Sequence, residues 1–173
     1  MNYLILFLIV SLFIGCSNNS DLEKQKSDKT TQTDNIRTFL LKEMVAGKKH
    51  WKLTGTKAFI DRDPDYIIVE NPIIVFYKNE KESSKLTADI GKINKNTQNM
   101  QAIGNVIMNS IKEKTILTTE EVFYKNSESI FYSDKYVKIQ RENTITEGTG
   151  FESQADLSVI TIKNNVSISY KES

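Results

Sequence analysis

The feature that most constrains this chain is an alternation of period two that sets in after residue 35 and runs almost to the last residue. Short runs rich in β-branched and aromatic residues follow one another. They are "WKLTGTKAFI" (Trp51–Ile60), "YIIVENPIIVFY" (Tyr66–Tyr77), "KLTADIGKI", "QAIGNVIM", "TILTTEEVFY", "SIFYSDKYVKIQ", "TITEGTGFES" and "LSVITIKNNVSISY". Successive side chains of a strand point to opposite faces, so such runs bury one face and wet the other. The segments between them, "INKNTQNM", "NSIKEK", "KNSES" and "RENT", carry turn chemistry, and "DRDPD" (Asp61–Asp65) is a turn stiffened by Pro64. Pro72 cannot donate to a ladder and marks a bend or a strand start. The pattern predicts an all-β, antiparallel meander of about ten to twelve strands. One segment stays open. Residues 36–45 ("IRTFLLKEMV") fit a short helix capped by Asp34 or Asn35, with Ile36, Phe39, Leu40 and Met44 on one face. They fit equally a strand followed by the turn "AGKK".

A sheet built from so many strands must cover one face or fold onto itself. Apolar residues make up 39% of the chain, many of them in the leader, so the domain's own core is modest. A curled, partly open sheet with a narrow apolar interior fits better than a thick sandwich, and its free edges can pair with another protein's strand. Gly104 beside Asn105 suits a bulge, and Gly148 and Gly150 suit a bend. Leu86-Thr87-Ala88-Asp89 is echoed by Leu117-Thr118-Thr119-Glu120, and more weakly by Phe131-Tyr132-Ser133-Asp134 and Phe151-Glu152-Ser153-Gln154. The spacing is too irregular for a solenoid.

The amino terminus is different. Tyr3–Ile14 is apolar except for Tyr3 and Ser11. It is shorter than the roughly 20 residues of a membrane span and suits the apolar region of a secretion signal. Phe13-Ile14-Gly15-Cys16 closes it and resembles a bacterial lipobox, in which the signal is cut before a cysteine that carries a diacylglycerol. Phe13 stands where leucine is commonest, and no lysine or arginine precedes the run. The competing reading is an uncleaved anchor with Cys16 a bystander. Either way residues 1–16 attach the rest to a membrane outside the cytoplasm. Residues 17–35 ("SNNSDLEKQKSDKTTQTDN") hold one large apolar residue, Leu22, and read as a flexible tether to a domain spanning 36–173.

Catalytic chemistry is hard to find. His50 is the sole histidine, so no histidine pair can hold zinc, and beside Trp51 it reads as a strand-start residue. The acids of "DRDPD" lack the remainder of a calcium loop and read as a solvated turn. Asp89, Glu120, Glu121 and Asp134 fall on different strands. No nucleophile motif occurs. The reading is of a protein that is not an enzyme and calls for no cofactor or metal. Lysine plus arginine number 23 against 22 acids, a balance that argues against nucleic acid, since phosphate neutralisation supplies most of that affinity.

Taken in order, "WKLTGTKA", "NPIIVFY", "LTADIGKI", "AIGNVIM", "ILTTEEVFY", "SDKYVKI" and "EGTGFES" resemble the LptC-type periplasmic proteins of lipopolysaccharide export. Gly104-Asn105-Val106 is shared with the related OstA/LptA-like proteins. The resemblance covers roughly residues 36–170. It implies a β-jellyroll folded like a taco shell around a hydrophobic groove for lipopolysaccharide acyl chains. It also implies partners: the membrane subunits of an ABC transporter that supplies lipid, and an LptA-like bridge protein joined edge to edge. The place implied is the periplasmic face of the inner membrane. A lipobox departs from the family's usual uncleaved helix, and Ser17 after the cysteine hints at the outer membrane instead. Alternation nominates groove residues: Trp51, Leu53, Leu86, Ala88, Ile90, Ala102, Val106, Met108, Phe123, Val137 and Ile139. Ordinary core is the plain alternative for each. A second functional reading is a structural or assembly lipoprotein that binds partners through its sheet edges and carries no lipid. A third is a relative of the soluble bridge.

Overall fold

The structure, a computed structural model, describes residues 34–60 and 65–170, with side chains for residues 39–59 and 65–170. The leader with Cys16, nearly all of the tether, Asp61–Pro64 of the proline turn and residues 171–173 lie outside the described residues. What is described is all β. The strands are β1 (Asp34–Val45), β2 (Lys48–Ile60), β3 (Tyr66–Glu70), β4 (Ile73–Lys78), β5 (Lys81–Thr87), β6 (Ile90–Asn94), β7 (Met100–Ser110), β8 (Thr115–Lys125), β9 (Ile130–Arg141), β10 (Thr144–Gln154) and β11 (Ile160–Tyr170). The segment left open by its sequence, 36–45, is strand. It pairs with β2 along its length, setting Leu41 opposite Leu53.

All pairings are antiparallel and join one sheet. β3 and β4 form one long strand broken at Asn71-Pro72, and β5 and β6 another broken at Ala88-Asp89. β2 pairs with both halves of the first, β7 with both halves of the second. Counted this way, every long strand pairs only with its neighbours in sequence.

The breaks lie side by side. The Asn71 amide donates to Asp89 O at 2.8 Å and the Asp89 amide to Gly104 O at 3.0 Å. The row continues through the bulge between Ile103 and Val106, the one between Thr119 and Phe123, and those around Thr149. Asn71, Gly104, Asn105, Gly150 and Asn165 all take positive φ, conformations open to Gly and tolerated by Asn. A transverse crease results, with the chain from β3 to β11 broken or bulged at the same level. Three of the four sequence echoes end on it, at Asp89, Glu120 and Asp134.

The crease folds the sheet into two arms that meet face to face. Phe76 on β4 packs against Tyr124 on β8 (centroids 4.9 Å apart) and Phe131 on β9 (5.1 Å), although none of these strands is paired with β4. Between the arms lies one apolar cluster that includes Trp51, Leu53, Val69, Met108, Phe151 and Leu157, all nearly inaccessible. Each such side chain contributes about 1.5–3 kcal/mol by leaving water. The predicted fold, a jellyroll bent like a taco shell, is the one found. Among the described residues no helix is long and apolar enough to cross a membrane.

Candidate functional site

The inner face is organised in rows that run across the strands. On the first arm Leu41, Leu53, Ile74, Leu86, Met108, Leu117, Ile139, Thr146 and Ile168 are successive cross-strand neighbours. The row joins one edge strand to the other. Facing it on the second arm is Ile67, Ile93, Met100, Tyr124, Phe131, Ser153 and Ile160. Two apolar rows, one per arm, thus line an interior that runs perpendicular to the strands.

Midway along, that interior is packed. The cavity between Ile74, Phe76, Leu86, Met100, Ala102, Val122, Tyr124 and Phe131 measures only about 10 Å³. At the β11 end it opens. A cleft of about 330 Å³ lies among Ile139, Arg141, Thr144, Thr146, Ile160 and Ile162. Past it Val166, Ile168 and Tyr170 of β11 stand exposed. Ile168 continues the inner row, so the apolar lining reaches the free edge uncovered.

The rim opposite the crease is joined by polar contacts between the arms. His50 Nδ1 lies 2.6 Å from Glu43 Oε2, so its N–H donates to that carboxylate, and Nε2 lies 3.1 Å from Ser129 Oγ. Tyr124 Oη is 3.4 Å from the same Nε2, and Asn126 Nδ2 donates to Glu43 Oε1 at 2.8 Å. Burial pushes the Tyr124 hydroxyl up to about 12, with a Ser129 hydrogen bond opposing and the Glu43 charge adding, so it stays a donor at neutral pH. Further along, Ser84 Oγ donates to Ala155 O at 2.5 Å, and Lys78 Nζ meets Asp156 Oδ2 at 2.6 Å. Arg141 Nη2 donates to Leu157 O at 3.1 Å, while its Nε holds Thr115 Oγ1 at 2.9 Å. Desolvation raises the Asp156 carboxyl, but hydrogen bonds from Lys78 and Ser158 and the Lys78 charge outweigh it and hold the group at about 2.

Ser129, His50 and Glu43 have the connectivity of a nucleophile, base and orienting acid. What a hydrolase also needs is a set of donors aimed at a developing oxyanion. Here the Ser129 amide is bound to Asn126 O at 3.3 Å and its carbonyl accepts from the Ala155 amide at 3.0 Å. The turn's polar groups are committed to shaping it and to joining the arms, so the cluster is a clasp. His50, read from sequence as a strand-start residue, is its centre. Among the described residues no group of three or more His, Cys, Asp or Glu is placed to hold a metal ion.

The structure unites most of the nominated groove residues. Leu53, Leu86, Met108 and Ile139 share the first-arm row, and Trp51 borders it. Val106 and Val137 flank Thr119 beside the crease, with Ala88 at the crease and Ala102 on the second arm. All nine belong to the buried cluster. Ile90 and Phe123 do not. Both are half-buried on the outer face, where Phe123 stacks on Tyr132 at 5.3 Å. Counting by twos from Leu86 and Ala88 reaches Ile90, and from Leu117 and Thr119 reaches Phe123. Each count crosses the crease, where an extra residue reverses the alternation. Ile74 and Phe76 escaped notice inside "PIIVFY", an apolar run without alternation, and Leu157 inside a polar turn.

Comparison with known proteins adds three findings. The family model described as "LptC: Lipopolysaccharide-assembly, LptC-related" matches residues 3–171. A search of the curated proteins gives no match. Among solved structures, the chain is similar to the crystal structure of LptH from Pseudomonas aeruginosa, the LptA-homologous periplasmic component of the conserved lipopolysaccharide transport device. The TM-score is 0.54 at 11% identity, over 70% of this chain and 95% of that one. At that identity the likeness is one of fold.

Proposed function

Because the chain belongs to the LptC-related lipopolysaccharide-assembly family, with a role in lipopolysaccharide transport, we propose that its bent sheet receives lipopolysaccharide from an inner-membrane ABC transporter and passes it to an LptA-like bridge. The leader, ending in Cys16 either lipidated or within an uncleaved anchor, holds it at the periplasmic face of the inner membrane. The observation that carries this reading is the edge-to-edge inner row, buried from Leu53 to Ile139 and open at β11. An acyl chain exposed to water costs about 0.8 kcal/mol per methylene, and such a row removes that cost without covalent chemistry. The free edges of β1 and β11 offer unpaired backbone groups to a partner of the same fold.

A photo-crosslinker at Ile139 or Val106 tests it. Capture of lipopolysaccharide in cells supports passage between the arms. Capture of protein alone favours the second reading, an assembly lipoprotein that binds partners by its edges, to which the nearly void-free middle of the interior lends weight.

A further inference from the structure

The outer face of the first arm carries a second pattern that the inner row does not use. Beside the crease, Leu40, Thr54, Ile73, Thr87, Ile107 and Thr118 are successive cross-strand neighbours. Leu40, Ile73 and Ile107 are 58%, 38% and 45% exposed. One step away along the strands lies the row Lys42, Lys52, Val75, Lys85, Asn109 and Ile116. Neither row contains a carboxylate; acids stand at the margins, with Glu120 beside Ile107 and Thr118 at the crease, Glu82 opposite Tyr77 and Glu147 against Lys138 at 3.6 Å.

The lysines are placed against their own repulsion. Lys42 and Lys52 are directly opposite on β1 and β2, an arrangement that destabilises a sheet unless a counter-charge relieves it. Among the described residues eight lysines are ion-paired, and Lys42, Lys52 and Lys85 are among the other eight, which have no salt bridge. Val75, although on the outer face, is only 8% exposed and has Lys52 and Lys85 as its two cross-strand neighbours. Lysine stems lying over aliphatic surface with their ammonium groups free are suited to a boundary that is apolar on one side and anionic on the other.

We propose that this face docks on an anionic phospholipid surface. Lys42, Lys52 and Lys85 meet headgroup phosphates, and Leu40, Ile73 and Ile107 enter the interfacial layer. The sheet would then lie with one outer face against the bilayer while its inner rows stay dry. This goes beyond the lipid-passing role and stands or falls without it.

Amine labelling of the full chain in vesicles, read by mass spectrometry, tests the proposal. Phosphatidylglycerol-containing vesicles should slow labelling of Lys42, Lys52 and Lys85 several-fold relative to phosphatidylcholine vesicles, with Lys125 unchanged and the protection removed by high salt. Lys85→Gln, at an exposed position, should weaken protection at Lys42 and Lys52 about fivefold. Equal labelling in both vesicle types overturns the proposal. So does protection found in native membranes but absent from pure lipid, which would assign the face to a protein. Crosslinking at Ile139 reads the interior independently.

Discussion

At Gly104 the backbone takes a φ of +78°, and a Cβ there would collide with the Asp89 carboxylate, which accepts from Asn105 Nδ2 at 2.8 Å. Gly104→Val therefore meets both a strained backbone and an occupied space. A loss of about 2–4 kcal/mol is expected in urea unfolding, and an unchanged midpoint would show that the crease yields easily. Phe131→Ala, which removes a ring touching Phe76 across the interior and Tyr124 beside it, should cost about 3–5 kcal/mol by the same measurement. Single residues also show where reading by eye stops. Gly104-Asn105 was legible as a bulge because Gly and Asn tolerate positive φ. The consequence of such slips for Ile90 and Phe123 was not, because an irregularity reverses which face a residue takes and nothing local marks the count as shifted.

Among elements, the strands were legible and their ends were not. Alternation identifies β7 to β10 with little ambiguity, whereas β1 could be settled only by its pairing with β2. The rim illustrates contacts that sequence cannot announce, since Lys78 at the end of β4 and Asp156 in a turn are far apart in the chain. Asp156 sits at about 2, below its ordinary 3.8. A group depressed on folding contributes stability that is complete above about pH 4 and disappears as the pH falls through about 2. Asp156→Asn should flatten that acid limb. It should cost about 1 kcal/mol or less at neutral pH, because Lys78 is largely exposed. The free edge is a further element-scale test. Ile168→Lys on β11 should leave stability within about 0.5 kcal/mol while lowering the yield of partner protein captured from a crosslinker at Val166. No capture at Val166 even in the unsubstituted chain would move the partner to the β1 edge, and undiminished capture would show that Ile168 is not part of the contact.

For the molecule as a whole, sequence reached the architecture and the inner face but not its state, a sheet shut along its rim over a packed middle. If chains pass between the arms, loosening the clasp should ease them. His50→Ala is expected to cost about 1–2 kcal/mol and to raise lipopolysaccharide capture at Val106. Capture that falls in step with stability would mean that the rim only holds the fold together. One further consequence follows from pairing confined to neighbours in sequence. Hairpins can form one after another from whichever end is released first, with little loop entropy to overcome at each step. A polypeptide delivered as a thread can begin to take shape before its tail arrives, leaving the meeting of Phe76 with Phe131 as the late event that shuts the shell.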